Sequence, residues 1–326
     1  MRVFVTGGSG FVGGYVIREL LARGHEVRCL VRPGAERRLP SGATPAPGDL
    51  FDPHGWRQAL EGCDAVIHLV GVIREFPAKG ITFRRHHVEA TRLVVDEAKR
   101  AAVKRILHMS ANGSGVAPGR GAPPSSSPSG VVAASPPEAS RAGAVSAYQT
   151  TKFEAEQIVK ASGLTYTIFR PSVIFGDPHG LVEFCSQLAD VIRKAPLTPV
   201  FGDGQYRLDP VAVEEVAEAF ANALDRPESA GRTFHLGGGN PLPYRAILDI
   251  IAKGMGRGGI VPIPVPFFAV ATAAYFLDRF AFFPVTREQL AMLKGGNDCP
   301  ELTYRQVLGT TPIPFTPEAL GYLRRP

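Results

Sequence analysis

The first thirteen residues read MRVFVTGGSGFVG, Met1 to Gly13. Val3, Phe4 and Val5 make the short apolar run of a buried strand. It leads directly into Gly7, Gly10 and Gly13, spaced GxxGxxG, and then into Val12, Val16 and Leu20 at helical spacing, with a stop at Gly24. A glycine triplet alone says little. Between a strand and a helix it has a physical purpose. The glycines permit a tight turn and let a pyrophosphate reach the helix amino terminus, where unspent N–H groups and the helix dipole attract it. The junction therefore predicts a dinucleotide site around Gly7, Gly10, Phe11, Val12 and Gly13. A tight turn without a ligand is the alternative.

The next strand, EVRCLVR (Glu26 to Arg32), ends where an adenosine ribose is read. An acid there accepts from a free 2′-hydroxyl, whereas an arginine clamps a 2′-phosphate. Arg32 stands at that end, with Arg37 and Arg38 behind it and no acid. This favours NADP(H) over NAD(H); a solvated strand end is the bland alternative. Further units follow: GDLFDP (Gly48 to Pro53) opening a loop and helix, DAVIHLVG (Asp64 to Gly71), the amphipathic VEATRLVVDEAKRAAV, and KRILHMSA (Lys104 to Ala111). Apolar runs between helices predict an α/β architecture, a Rossmann-type doubly wound parallel sheet covered on both faces. We expect this domain over residues 1–175 and a smaller carboxy-terminal substrate lobe over 176–326, with some segments returning to the sheet.

Composition narrows the function. Of 326 residues, 44% are hydrophobic and 20% charged, enough for a substantial core, and the net charge of +6 is scattered. No basic run interleaved with aromatics suggests nucleic acid. The four cysteines are far apart and the eight histidines form no ligand motif, so no metal is expected and reduced thiols suit a cytoplasmic protein. The first strand begins at Arg2 or Val3, which leaves no room for a signal peptide. The longest uncharged run, Ile260 to Leu277, is broken by Pro262, Pro264 and Pro266 and is too short to span a bilayer, which takes about 20 apolar residues. It predicts a buried helix or, over 260–283, a contact with a membrane surface or protein complex, peripheral to the inner membrane.

SAYQTTKFE, Ser146 to Glu154, places Tyr148 four residues before Lys152, on one face of a helix. The spacing alone cannot separate a catalytic pair from coincidence. Together with TGGSGFVG, GDL at Gly48, HLVG at His68, FRPSVIFG (Phe169 to Gly176) and PVAVEEVAEAF (Pro210 to Phe220), it resembles the short-chain dehydrogenase/reductase superfamily, in its extended or atypical, epimerase/dehydratase-like branch. FFPVTREQLAMLKGGND (Phe282 to Asp298) resembles bacterial relatives of the Rossmann-fold accessory subunit of respiratory complex I. The resemblance implies that Tyr148 moves a proton as hydride passes to or from a nicotinamide. It implies that Lys152 holds the ribose and lowers the phenol pKa. Further cofactor contacts would come from Asp49, Leu50, Leu69, Gly71, Pro171 and Val173.

Two departures stand out. The substrate-orienting Ser or Thr of active members is matched by Ala111, with Ser110 one place early, and a usual asparagine is matched by His87. Asn112 and Ser114 are candidate substitutes. The stretch Gly113 to Ala147 is dominated by Gly, Ala, Ser and Pro and predicts a mobile low-complexity insertion over 113–147. In the second half Arg207 and Arg245 are candidates for holding a diphosphate, while VPFFAVATAAYFL suits a lipid-like or quinone-like ligand better. The expected function is an oxidoreductase acting on a carbonyl of a lipid-, isoprenoid- or quinone-like small molecule, with a weakened catalytic set. The alternatives are a non-catalytic NADP(H)-holding accessory or sensor protein of a respiratory or quinone-linked complex, and a sugar-nucleotide epimerase/dehydratase.

Overall fold

A computed structural model describes residues 1–114, 146–194, 197–277, 297–299 and 302–324. Most of the expected insertion over 113–147, and part of the segment 260–283, lie outside the described residues.

Seven parallel strands form the main sheet in the order β11-β6-β5-β4-β1-β2-β3. They are β1 (Arg2–Thr6), β2 (Glu26–Val31), β3 (Thr44–Pro47), β4 (Ala65–His68), β5 (Arg105–Met109), β6 (Thr165–Pro171) and β11 (Arg232–Leu236). The chain builds outward from β1 in one direction through β2 and β3, then reverses and builds the other way from β4. This reversal opens a crevice at the carboxyl ends of β1 and β4, where ligands bind in such sheets. Successive side chains of β1 serve opposite layers. Val3 and Val5 pack with α1 (Phe11–Ala22) and α5 (Val213–Asp225), whereas Phe4 packs with Trp56 and with α2 (Ala90–Arg100). The last layer is completed by α3 (Ala147–Lys160), through Val159.

A second, smaller core gathers Cys185, Ala189 and Ile192 of α4 (Phe184–Lys194) against Ile247, Leu248 and Ile251 of α6 (Tyr244–Gly254). Short pairs surround it: β7 (Ile174–Phe175) with β10 (Val211–Ala212), β8 (Thr198–Phe201) with β13 (Pro262–Val265), and β9 (Arg207–Leu208) with β12 (Leu242–Pro243). Then come α7 (Phe267–Leu277) and α8 (Thr303–Leu308); Tyr304 and Leu308 of α8 join the core of the large sheet.

Three elements differ from the sequence reading. β3, TPAP, has two prolines and goes unforeseen; it pairs only with β2, and an edge strand tolerates residues that cannot donate on the open side. The helix expected after GDLFDP is two short 3₁₀ turns, because Pro53 and Gly55 punctuate it and Trp56 turns inward to stack on Phe4 at 5.7 Å. The helix expected from Val88 begins earlier, as a π-helical stretch Arg84–Glu89 that runs into α2. That wide turn carries His87.

Candidate functional site

The turn after β1 has the shape a pyrophosphate needs. Gly7 takes a left-handed φ of +82°, and a Cβ there would stand 3.0 Å from the Leu69 carbonyl carbon, so β1 and β4 approach backbone to backbone. A Cβ on Gly13 would stand 2.3 Å from the Gly7 oxygen and 2.6 Å from Gly8 Cα; this glycine packs the helix onto the turn. A Cβ on Gly10 would meet only the Gly7 oxygen, at 3.2 Å, and otherwise points into open space. No side chain caps α1 and no acid stands in its first turn. A dinucleotide phosphate therefore finds uncapped N–H groups and no competing charge. Such a cofactor supplies hydride chemistry when bound. Beyond the turn, the Gly48 N–H donates to the Val31 carbonyl (2.9 Å), which brings the ends of β2 and β3, and so Arg32 and Asp49, side by side. Asp49 accepts from the Phe51 N–H at 2.9 Å, and Leu50 packs into the Trp56 layer.

The opening of α3 is fixed by a capping box: Ser146 Oγ accepts from the Gln149 N–H, and the Gln149 side chain accepts from the Ser146 N–H. This sets Tyr148, Lys152 and Glu156 on one face, four residues apart. Tyr148 packs edge-on against Phe83 and His87, and burial pushes its phenol up to about 12. In the protein alone, desolvation thus opposes ionisation of the phenol. The Lys152 ammonium is buried and donates to the Met109 carbonyl at 3.0 Å. Burial pushes it down to about 8, with Glu156 opposing. A Cβ on Gly71 would come 2.8 Å from Lys152 Nζ, so Gly71 is the backbone surface against which the lysine lies.

Below this pair is a network not foreseen from the sequence. Glu156 is fully buried and accepts two bonds from Arg170, at 2.7 and 2.6 Å, and one from Ser110 Oγ at 2.6 Å. Tyr-x-x-x-Lys-x-x-x-Glu was a readable signal; its partner on β6 was not. Ser110 and Ala111 both border the cavity, but the Ser110 hydroxyl is spent on Glu156 and Ala111 offers only a methyl. The two candidate substitutes are committed elsewhere. Ser114 Oγ donates to the Ala111 carbonyl at 2.8 Å. The Asn112 amide donates to the Asp298 carbonyl at 2.9 Å, and its oxygen lies 2.7 Å from His235 Nδ1. His87 lies between Thr151 Oγ1 (2.9 Å from Nδ1) and the Val72 N–H (3.2 Å from Nε2), stacked on Phe83. Burial and the Lys152 charge push it down to about 2, so it is a neutral brace.

A cavity of about 640 Å³ runs from this pair into the smaller lobe. Phe11, Val12, Leu69, Gly71, Tyr148, Lys152, Pro171 and Val173, all sequence candidates, line its near end. Gly7, Gly10, Gly13, Arg32, Asp49 and Leu50 do not; they lie along the turn and the strand ends. The far end is Leu188, Val191, Leu248, Val265 and Val270. Among the described lining residues only Lys152 and Glu183 have an amine or a carboxyl side chain. Glu183, also missed from sequence, caps α4 by accepting from the Cys185 and Ser186 N–H groups, and burial pushes it up to about 7. Arg207 and Arg245 are not on the described wall. Arg207 instead donates to the Pro241 carbonyl at 2.6 Å, and Arg245 packs beneath Gly204. Neither is thereby placed against a ligand in this cavity.

Residues 3–237 match the NAD dependent epimerase/dehydratase family. The chain is 32% identical over 280 residues to a 4-hydroxy-2-methyl-3-oxo-4-farnesyl-3,4-dihydroquinoline-1-oxide ketoreductase of Stigmatella aurantiaca, covering 84% of this chain and 79% of that one. It is 27% identical over 334 residues to mitochondrial NADH dehydrogenase [ubiquinone] 1 alpha subcomplex subunit 9 of Mus musculus, covering 98% of this chain and 79% of that one. Among solved structures, MoeE5 in complex with UDP-glucuronic acid and NAD superposes with a TM-score of 0.71 at 21% identity, over 100% of this chain and 99% of that one, a likeness of fold.

Proposed function

The chain belongs to the NAD dependent epimerase/dehydratase family, and on that premise we propose that it is a nicotinamide-dependent ketoreductase for an apolar, lipid-, isoprenoid- or quinone-like ketone. The observation that carries this reading is the composition of the cavity. A sugar nucleotide brings two phosphates and several hydroxyls, and burying them without cationic partners costs far more than an apolar wall returns. An isoprenoid or alkyl ketone asks only for apolar contact along its length and polar groups at one end. The farnesyl-bearing substrate in the name of the Stigmatella relative is of that kind.

In this reading Tyr148 gives its proton to the ketone oxygen as hydride arrives at the carbon, and Lys152 holds the ribose. Ala111 supplies no hydroxyl, so the ketone oxygen depends on Tyr148 alone; one missing preorganised donor costs on the order of 10²–10³ in rate. Arg32, at the end of β2 with no acid on that strand end, selects NADP(H) over NAD(H). The segment 260–283 is the proposed contact with a membrane surface or protein complex.

The test is oxidation of NADPH and of NADH with a series of 3-oxo compounds of increasing alkyl or prenyl length, beside UDP-glucose. The expected result is turnover that improves with apolar length, no change in UDP-glucose, and tighter NADPH binding that Arg32→Ala weakens by roughly ten- to a hundredfold. Turnover of UDP-glucose alone would overturn the reading. A second reading, a protein that holds the dinucleotide with little turnover, is favoured by Ala111 together with the committed hydroxyl of Ser110. Ala111→Ser separates the two: it raises ketone reduction in the first and changes nothing in the second.

A further inference from the structure

Apart from Met1 and Phe153, every exposed large apolar side chain among the described residues lies on or beside a segment that lines the cavity. Ile73 and Val182 line it and are still 55% and 71% exposed, so they mark its opening. Phe268, 76% exposed, precedes the lining residue Ala269. Leu197 precedes the lining residues Thr198 and Pro199, and Val261 and Ile263 lead to Val265. The Thr198 N–H donates to the Val261 carbonyl at 2.8 Å, which joins these last two strips into one surface. Scattered single apolar residues need no account, but a collar of them around one opening does.

The strip at Leu197 and Val261 is basic. The Arg257 guanidinium donates to the Ile192 carbonyl at 2.7 Å and the Arg193 carbonyl at 3.4 Å, so Arg193, Lys194 and Arg257 gather at the end of α4 beside Leu197 and Val261. Of the nearby acids, Asp190 is paired with Arg193 at 2.6 Å and Asp249 with Lys253 at 2.7 Å. The patch therefore offers apolar side chains and unneutralised positive charge together. No helix among the described residues is long and apolar enough to cross a membrane, so contact would be at the surface.

We propose that this collar docks the protein on an anionic lipid bilayer, with the cavity mouth turned to the acyl region. The inference rests on the reading of the cavity as the site of an apolar ketone. A bilayer suits it better than a protein partner for a geometric reason. A protein seated on the collar would close the mouth, whereas hydrocarbon continues the apolar wall and lets the substrate enter without crossing water.

The experiment is flotation of the full chain with vesicles of phosphatidylcholine alone and of phosphatidylcholine with phosphatidylglycerol. Binding is expected to the anionic vesicles, weakened by salt, and slight with the neutral ones. Val182→Ser with Phe268→Glu should cut partition more than about tenfold, the worth of one buried aromatic side chain. Lys194→Ala should cut it by about fivefold on anionic vesicles only. Phe153→Glu, the same kind of change on α3 away from the mouth, should float as the parent protein does. Dinucleotide binding by each variant reports that it is folded. Absence of flotation with either vesicle, or equal losses from the mouth variant and Phe153→Glu, overturns the proposal. Reduction of a short, water-soluble ketone in buffer reads the proposed reaction separately. A chain that reduces it and ignores vesicles keeps the reaction and loses the docking surface; one that floats without reducing any ketone loses the reaction.

Discussion

At the near end of the cavity, Glu156, Arg170 and Ser110 are joined by hydrogen bonds of 2.6 to 2.7 Å below Lys152, whose ammonium is held 3.0 Å from the Met109 carbonyl. At the far end Leu188, Val191, Leu248 and Val270 offer only apolar contact. The near end is directional: each buried polar group needs its partner at a set angle, and a vacancy costs heavily. The far end constrains volume and polarity and little else. The contrast teaches that chemistry is specified here by one wall and substrate tolerance by the other, so changes at the two ends should have different signatures.

The near end breaks most sharply at Tyr148. Tyr148→Phe should reduce turnover by roughly 10²–10⁴-fold while leaving dinucleotide affinity nearly intact. Lys152→Ala should instead weaken the affinity, so calorimetry beside stopped-flow kinetics separates the two roles. If Tyr148→Phe retained full turnover, the pair would be a coincidence of helix spacing.

Next in size is the support beneath it. Glu156→Ala strands the largely buried Arg170 guanidinium, and removing one partner of a buried ion pair costs about 3–5 kcal/mol, an upper figure here because Arg170 keeps some exposure. Urea unfolding should show this loss, with Glu156→Gln milder. An unaltered midpoint in Glu156→Ala would mean that the network is not holding the wall.

Acid should undo the near wall by a third route. His68, at Thr6 Oγ1 (2.6 Å), is pushed down by burial to about 3, His87 to about 2, and His108, stacked on His68, is pushed down too. An unfolded histidine takes its proton near 6.5, so below that pH the unfolded chain binds more protons and stability falls as pH falls. His68 and His87 should each cost roughly 2 kcal/mol by pH 5, and His108 acts in the same direction. Glu183 works the other way, because its raised pKa favours the folded state as pH drops from about 7, and offsets about one of the three. Urea midpoints at pH 7.5 and 5 check the sign; equal midpoints would show that the histidines are not held neutral.

The far wall should give the smallest and most selective effect. Leu188→Ala should raise KM for long-tailed ketones by about tenfold, the worth of one or two methylenes in an apolar pocket, and leave short ketones unchanged. Equal effects on long and short ketones would mean that the tail does not lie along α4.

The uneven legibility of these regions has a physical cause. The β1 turn, the apolar strands β4 and β5 and the amphipathic face of α3 were readable because glycine conformation and hydrophobic period are local properties. The edge strand β3 was hidden because two prolines contradict strand propensity, and only a position at the sheet edge forgives them. Ser110 and Ala111 were adjacent letters until the fold set Glu156 beside the Ser110 hydroxyl and left the Ala111 methyl on the cavity wall. Arg207 and Arg245 read as anion holders because charge is visible in a sequence and orientation is not.

By itself, then, the sequence determined a parallel α/β sheet with a dinucleotide turn at its first strand, and a tyrosine and lysine sharing a helix face. Only the tertiary structure decided that Gly71 is the floor under Lys152, that Glu156 and Arg170 brace it from below, and that the described residues lining the cavity beyond are mostly apolar and include no arginine. Those contacts join residues far apart in the chain. They depend on strand register and on the way the smaller lobe packs over the crevice, which no window of neighbouring residues contains.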